Sequence, residues 1–141
     1  MKYPRLIIPL MIGLIWTAPI FARDDGGPKY PAPAHIIASL PKICWWFYMD
    51  NVPNTAEYNV RVTCGSYSNH YCPGLVNIKQ AENSGNKRER LEQLRYAKRN
   101  MEYTLRFVTG HPECSILPAA RINLERIKFQ IDLLSYQGLK R

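Results

Sequence analysis

At 141 residues, with 46% hydrophobic residues and a formal net charge of +8, the chain has room for one small domain and not for two. A domain of that size buries a real core, so disulfides among its four cysteines would reinforce the fold rather than replace a core.

Lys2 and Arg5 precede an apolar run over residues 6–16, and the small-residue stretch Ala18-Pro19-Ile20-Phe21-Ala22 follows. Together these have the form of a secretory signal peptide cut after Ala22. The run has about half of the roughly 20 apolar residues a membrane-spanning helix requires, and Pro9 interrupts it. No cysteine stands beside Ala22 to carry a lipid, and no Asn-x-Ser/Thr triplet occurs. The expectation is a periplasmic or secreted bacterial protein with residues 1–22 removed and no transmembrane span thereafter. In an oxidising compartment an even number of cysteines forms structural disulfides rather than doing thiol chemistry. Losing Lys2 and Arg5 lowers the charge from +8 to +6, and the whole excess lies from Lys87 onward.

Residues 23–43 contain Gly26-Gly27-Pro28, Pro31, Pro33 and Pro41, which predicts an extended arm, because proline fixes φ and removes a donor. Residues 44–141 are then a single disulfide-stabilised helical domain. The aromatic block Cys44-Trp45-Trp46-Phe47-Tyr48-Met49 fits a core plug beside a disulfide, with Trp45 and Trp46 as candidates for partner contact. Tyr58, Val60, Val62 and Cys64 alternate with polar residues and are partly β-branched, which predicts a short half-buried strand. Asn54, three residues before Glu57, is a competing helix-capping signal. Residues 65–71 read as a polar loop between Cys64 and Cys72, closed by Pro73-Gly74, presenting Tyr67 and His70.

Asn86 suits an N-cap with Glu89 at the third helical position, so a helix begins at Lys87. Its apolar seam runs through Leu91, Leu94, Lys98, Met101, Leu105 and Val108 at alternating spacings of three and four. Lys98 interrupts that seam and should snorkel or meet Glu125 or Asp132. Gly110 suits the C-cap, Pro112 blocks continuation, and Pro118 suits the first turn of a second helix. There Ala120, Leu124, Ile127, Ile131, Leu134 and Gly138 repeat the spacing. The fold class expected is mainly α: a C-terminal antiparallel hairpin over residues 87–137 with a disulfide-stapled N-terminal loop and short-strand region. Tyr96, Tyr103, Phe107, Phe129, Leu133 and Tyr136 lie off the seams and should face the N-terminal half or a second copy.

Among the three possible cysteine pairings, Cys64–Cys72 with Cys44–Cys114 is favoured here, a local staple plus a long-range tie. Zinc would need short Cys-x2-4-Cys pairs that the chain lacks. His111-Pro112-Glu113-Cys114 has no thiolate to offer once Cys114 is oxidised, Gly65-Ser66 lacks the nucleophile-elbow pattern, and no carboxylate pair suits glycoside hydrolysis. No catalytic, cofactor-binding or metal-ligating residue is therefore assigned. The basic run containing Arg95 and Arg99 is an ordinary solvated helix face or a contact surface. The function expected is a non-enzymatic, exported accessory factor that binds another protein of the envelope or exterior, such as an assembly subunit or an inhibitor of a secreted enzyme. Candidate contact residues are Trp45, Trp46, Tyr67, His70, Arg95 and Arg99, with homodimerisation through the hairpin as a further expectation. The competing classes are a small secreted hydrolase and a cationic nucleic-acid- or membrane-binding protein.

Overall fold

The computed structural model of the protein describes residues 30–136. The expected leader 1–22, the first part of the arm and Gly138 lie outside the described residues. From Tyr30 on, the chain is mainly helical: α1 (Ala34–Ser39), a 3-10 segment (Lys42–Phe47), α2 (Val60–Cys64), a second 3-10 segment (Ser66–His70), α3 (Tyr71–Asn83), α4 (Lys87–Val108) and α5 (Leu117–Tyr136). There is no strand among the described residues, and none of the described helices is long and apolar enough to cross a membrane.

The Pro-rich segment is not an extended arm over its described part. Pro33 precedes α1, and Ile36 and Leu40 are buried in the core. Ser39 Oγ donates to the carbonyl of Ile36 at 2.7 Å, and Trp45 Nε1 donates to the carbonyl of Leu40 at 3.1 Å. The aromatic block then coils as a 3-10 segment that buries Cys44, Trp46 and Phe47. Trp46 is 5% exposed, so its expected role in partner contact gives way to a core role. Trp45, half-buried, stacks on Tyr58 at 6.2 Å.

The expected strand at residues 58–64 is also corrected. Val60 and Cys64 are buried while Val62 is 52% exposed, a period of about four where a strand would put all three on one face. Asn59 accepts from the Arg61 backbone N–H at 3.0 Å and is itself held by Asn54 at 2.6 Å. That cap starts α2, and Gly65, at φ +78°, ends it. The short helix pairs backbone groups locally, with the Val62 and Gly65 N–H groups donating to the Asn59 and Arg61 carbonyls, each at 3.0 Å, whereas a lone strand with no neighbour would leave donors and acceptors unpaired. That outweighs the weak β preference of Val60, Val62 and Thr63.

Pro73-Gly74 does not close a loop either. Proline is tolerated in a first helical turn because its missing N–H would be unpaired there anyway, and both residues lie within α3. At Gly74 a Cβ would come within 2.8 Å of Met101 Cε and 3.3 Å of Asn100 Cβ, so glycine serves the close approach of α3 to α4.

Helix α4 starts where expected: Asn86 Oδ1 accepts from the N–H groups of Arg88 and Glu89 at 2.8 and 3.3 Å. It is the central element, packing on both α3 and α5. Its buried positions are Leu94, Ala97, Met101, Thr104 and Val108, so the seam passes through Ala97 and Thr104 rather than Lys98 and Leu105. Lys98 lies one residue off that line and pairs with Glu102 on its own helix at 2.7 Å, not with Glu125 or Asp132. Helix α5 buries Ala120, Leu124 and Ile127, with Ile131 and Leu134 half-buried behind them.

The disulfides are Cys44–Cys72 and Cys64–Cys114, not the nested pairing favoured by spacing. Cys72 sits in the first turn of α3 and turns inward to the aromatic block, while α2 delivers Cys64 to the connection between α4 and α5. The two bridges span 28 and 50 residues and interlace. Each contributes about 2–4 kcal/mol by restricting the unfolded chain.

Candidate functional site

Gly65 turns the chain out of α2, and Ser68 Oγ, fully buried, donates back to the Gly65 carbonyl at 2.6 Å. This holds the second 3-10 segment against α4, where a row of rings forms. Tyr67 stacks on Phe107 at 4.4 Å, Phe107 meets Tyr103 at 4.8 Å, and Tyr103 meets His70 at 4.0 Å. Tyr67 remains 57% exposed. Tyr103 and Phe107 thus face the N-terminal half, as expected of residues off the seam.

Behind this row runs a chain of amides. Asn77 Nδ2 donates to Gln93 Oε1 at 2.9 Å, and Asn100 Nδ2 donates to Asn77 Oδ1 at 3.1 Å. The oxygen of Asn100 then faces His70 Nδ1 at 2.8 Å, which makes Nδ1 the donor and leaves Nε2 outside the chain. The network joins α3 to α4 and fixes the plane of the imidazole.

His70 also borders a groove of about 340 Å³ whose lining includes Tyr30, Tyr48, Asn69, Gln80 and Asn100, with Pro73 and Val76 as apolar floor. No Asp, Glu, Lys or Arg lines it, in a chain whose surface is otherwise rich in charge. Burial pushes the Tyr48 hydroxyl far above the usual tyrosine range, and neighbouring Tyr30 adds to the effect, so it remains a neutral donor. Among the described residues, no buried side-chain nitrogen or oxygen lacks a hydrogen-bond partner. Tyr48, Asn69 and His70 are among the hydrogen-bonding side chains along its wall.

The candidate contact residues do not form one surface. Tyr67 and His70 come together in the ring row, and Trp45 belongs to a separate stack on Tyr58. Arg95 and Arg99 share the solvent face of α4, where the Arg99 guanidinium lies 4.5 Å from the Tyr96 ring centroid. Together with Arg88, Leu91 and Glu92 they line a shallow polar depression. His111 contacts Glu113 in an exposed turn at 3.1 Å. Its neighbour Cys114 is bonded to Cys64 and so is no nucleophile. No group of three or more His, Cys, Asp or Glu suited to a metal ion occurs among the described residues.

Tyr30, Tyr48, Asn69, Asn77, Gln80 and Asn100 were not singled out from sequence. Their signal lies in helical register: Asn77 and Gln80 are three apart, Gln93 and Asn100 seven apart, so each pair shares a helix face. It becomes readable only once α3 is known to be a helix. No protein-family model matches this chain, and neither a curated protein nor a solved structure matches it.

Proposed function

We propose that this is an exported, periplasmic, non-enzymatic accessory factor that binds another protein, as an assembly subunit of an envelope apparatus or an inhibitor of a secreted enzyme. The antiparallel hairpin of α4 and α5 is its scaffold, and the Tyr67–His70 row with the adjoining groove is its working surface. One observation carries the reading: an exposed tyrosine, Tyr67, stacked on Phe107, stands beside a groove of hydrogen-bonding side chains that no Asp, Glu, Lys or Arg lines. Such a surface suits an uncharged segment of a partner chain, because preorganised aromatic and amide groups contact it with little loss of side-chain freedom.

A photocrosslinking residue at position 67 of the exported protein should give a dominant adduct, and His70→Ala should weaken the complex by clearly more than the roughly 1 kcal/mol of stability lost with its bond to Asn100. Turnover of peptidoglycan, nucleic acid or peptide that disappears in His70→Ala would replace this reading with a hydrolase. A second reading, contact through the basic face of α4, is favoured by the Arg99–Tyr96 contact. It holds instead if charge reversal at Arg95 and Arg99 abolishes binding while the groove variants bind normally, or if affinity collapses with salt.

A further inference from the structure

The outer face of α4 carries four arginines in a line. Arg88, Arg95, Arg99 and Arg106 follow one another at spacings of seven, four and seven, which keeps them within about 20° of one line along the helix. The line spans about 27 Å at ~1.5 Å per residue and lies opposite the buried positions Leu94, Ala97, Met101, Thr104 and Val108. All four side chains are exposed, and among the described residues none of them forms an ion pair. Elsewhere acids are matched: Glu57 meets Lys42, Glu82 meets Lys79 and Arg126, Glu102 meets Lys98, and Glu125 meets Lys128. Glu92 stands four residues from Arg88 and three from Arg95, within helical reach of both, yet pairs with neither. An ordinary solvated face would use such neighbours for local pairs. Four arginines against Glu92 leave an excess of three positive charges facing outward.

Rings flank the line on one side. Tyr96, Tyr103 and Phe107 lie about 60–100° round the helix from it, towards the Tyr67 segment. Tyr96 is 43% exposed, with the Arg99 guanidinium 4.5 Å from its centroid. Tyr67, 57% exposed, continues the row beyond Phe107.

We propose that this face of α4 binds single-stranded nucleic acid without sequence preference, the arginines holding phosphates along the strand and the exposed rings of Tyr96 and Tyr67 taking bases. Charge complementarity calls for a polyanion, and the arrangement decides which. A guanidinium fork matches a phosphate in two hydrogen bonds and stays charged at any working pH. Rings beside a charged line match a chain that carries flat bases beside its phosphates. A duplex has already stacked its bases and would use only the arginines. A lipid surface would take up an apolar helix face, and that of α4 is buried in the core. An acidic peptide would meet the arginines, but every base has a π-face, so a strand engages the rings in whatever register it lies. Phosphate contacts and stacking carry no base identity, so no sequence preference is expected. None of the four arginines lines the His70 groove, and this inference goes beyond the protein-partner reading without resting on it.

The test titrates the exported, disulfide-intact protein into a fluorescent oligothymidylate of about 20 nucleotides, by anisotropy at several salt concentrations. The logarithm of affinity should fall against the logarithm of salt concentration with a slope of about −3, at ~0.7 per phosphate neutralised by the four arginines. Arg95→Ala and Arg99→Ala should each make that slope shallower by about 0.7. Tyr96→Ala should weaken binding to the oligothymidylate about fivefold or more, with the slope unchanged, and leave binding to a duplex of equal length as it was. Each replaced side chain is exposed, so circular dichroism and the unfolding midpoint should match the parent. No binding at low salt, or a slope that the arginine variants leave untouched, overturns the proposal. A Tyr96→Ala loss that is equal on strand and duplex, or absent from both, overturns the single-strand assignment. Polyglutamate that competes as well as the strand overturns it too, as do vesicles of phosphatidylglycerol and phosphatidylcholine that hold the protein against excess oligothymidylate.

Discussion

Ile127 and Ile131 occupy the same seam four residues apart, yet they differ in burial: Ile127 is 1% exposed and Ile131 is only half-buried. Truncating a fully enclosed isoleucine forfeits its transfer energy and leaves a cavity. Ile127→Ala should therefore cost about 2–5 kcal/mol in urea unfolding, and Ile131→Ala less than half as much. Equal costs would mean that α5 is seated differently. Tyr48 gives a residue-scale pH dependence. Its hydroxyl ionises at higher pH in the folded protein than in the unfolded chain, so the folded state holds its proton longer. The resulting stability is fully present below about pH 10, the usual tyrosine value, and is lost as pH rises beyond it. Tyr71, also raised by burial, acts in the same direction. Tyr48→Phe should flatten part of the fall in thermal midpoint above pH 10, and an unchanged slope would show that the hydroxyl is not desolvated.

At the scale of elements, legibility followed local chemistry. The start of α4 was readable because Asn86 is a strong cap, and the start of α5 because Pro118 suits a first turn. Helix α3 was not, because Pro73-Gly74 is also a turn signal, and only the proximity of Met101 reveals why glycine stands there. Helix α2 is not legible, because Val60, Val62 and Thr63 point to a strand and the capping signal set against them is Asn54 with Glu57, whereas the residue that caps the helix is Asn59. The groove was hidden for the same reason, since its amides come from α3 and α4 jointly. Asn59→Ala is the direct check on α2. It removes the cap to Arg61 and the hydrogen bond to Asn54 at a buried position, and should cost about 1–2 kcal/mol. A neutral result would mean that the cap does not hold α2.

At the scale of the whole molecule, the disulfide pairing was beyond the reach of sequence because spacing constrains loop length and not which helix faces which. In the interlaced arrangement the bridges have different duties. Cys44–Cys72 ties the aromatic block to α3, beside the groove floor, whereas Cys64–Cys114 ties α2 to the far end of α4. The segment that carries Tyr67 onto Phe107 leaves directly from Cys64. Peptide mapping of oxidised protein should recover these two linkages and no free thiol, and four alkylatable cysteines in native material would refute both bridges. The paired variant Cys64→Ser/Cys114→Ser should lower stability by about 2–4 kcal/mol and loosen the Tyr67 segment, which hydrogen exchange at residues 65–70 would register. Because α5 keeps its core face through Ala120, Leu124 and Ile127, protection of α5 should persist in that variant under conditions where it remains folded, while the Tyr67 segment exchanges faster. Loss of both together would mean that the Tyr67 segment and α5 open as one cooperative unit rather than two.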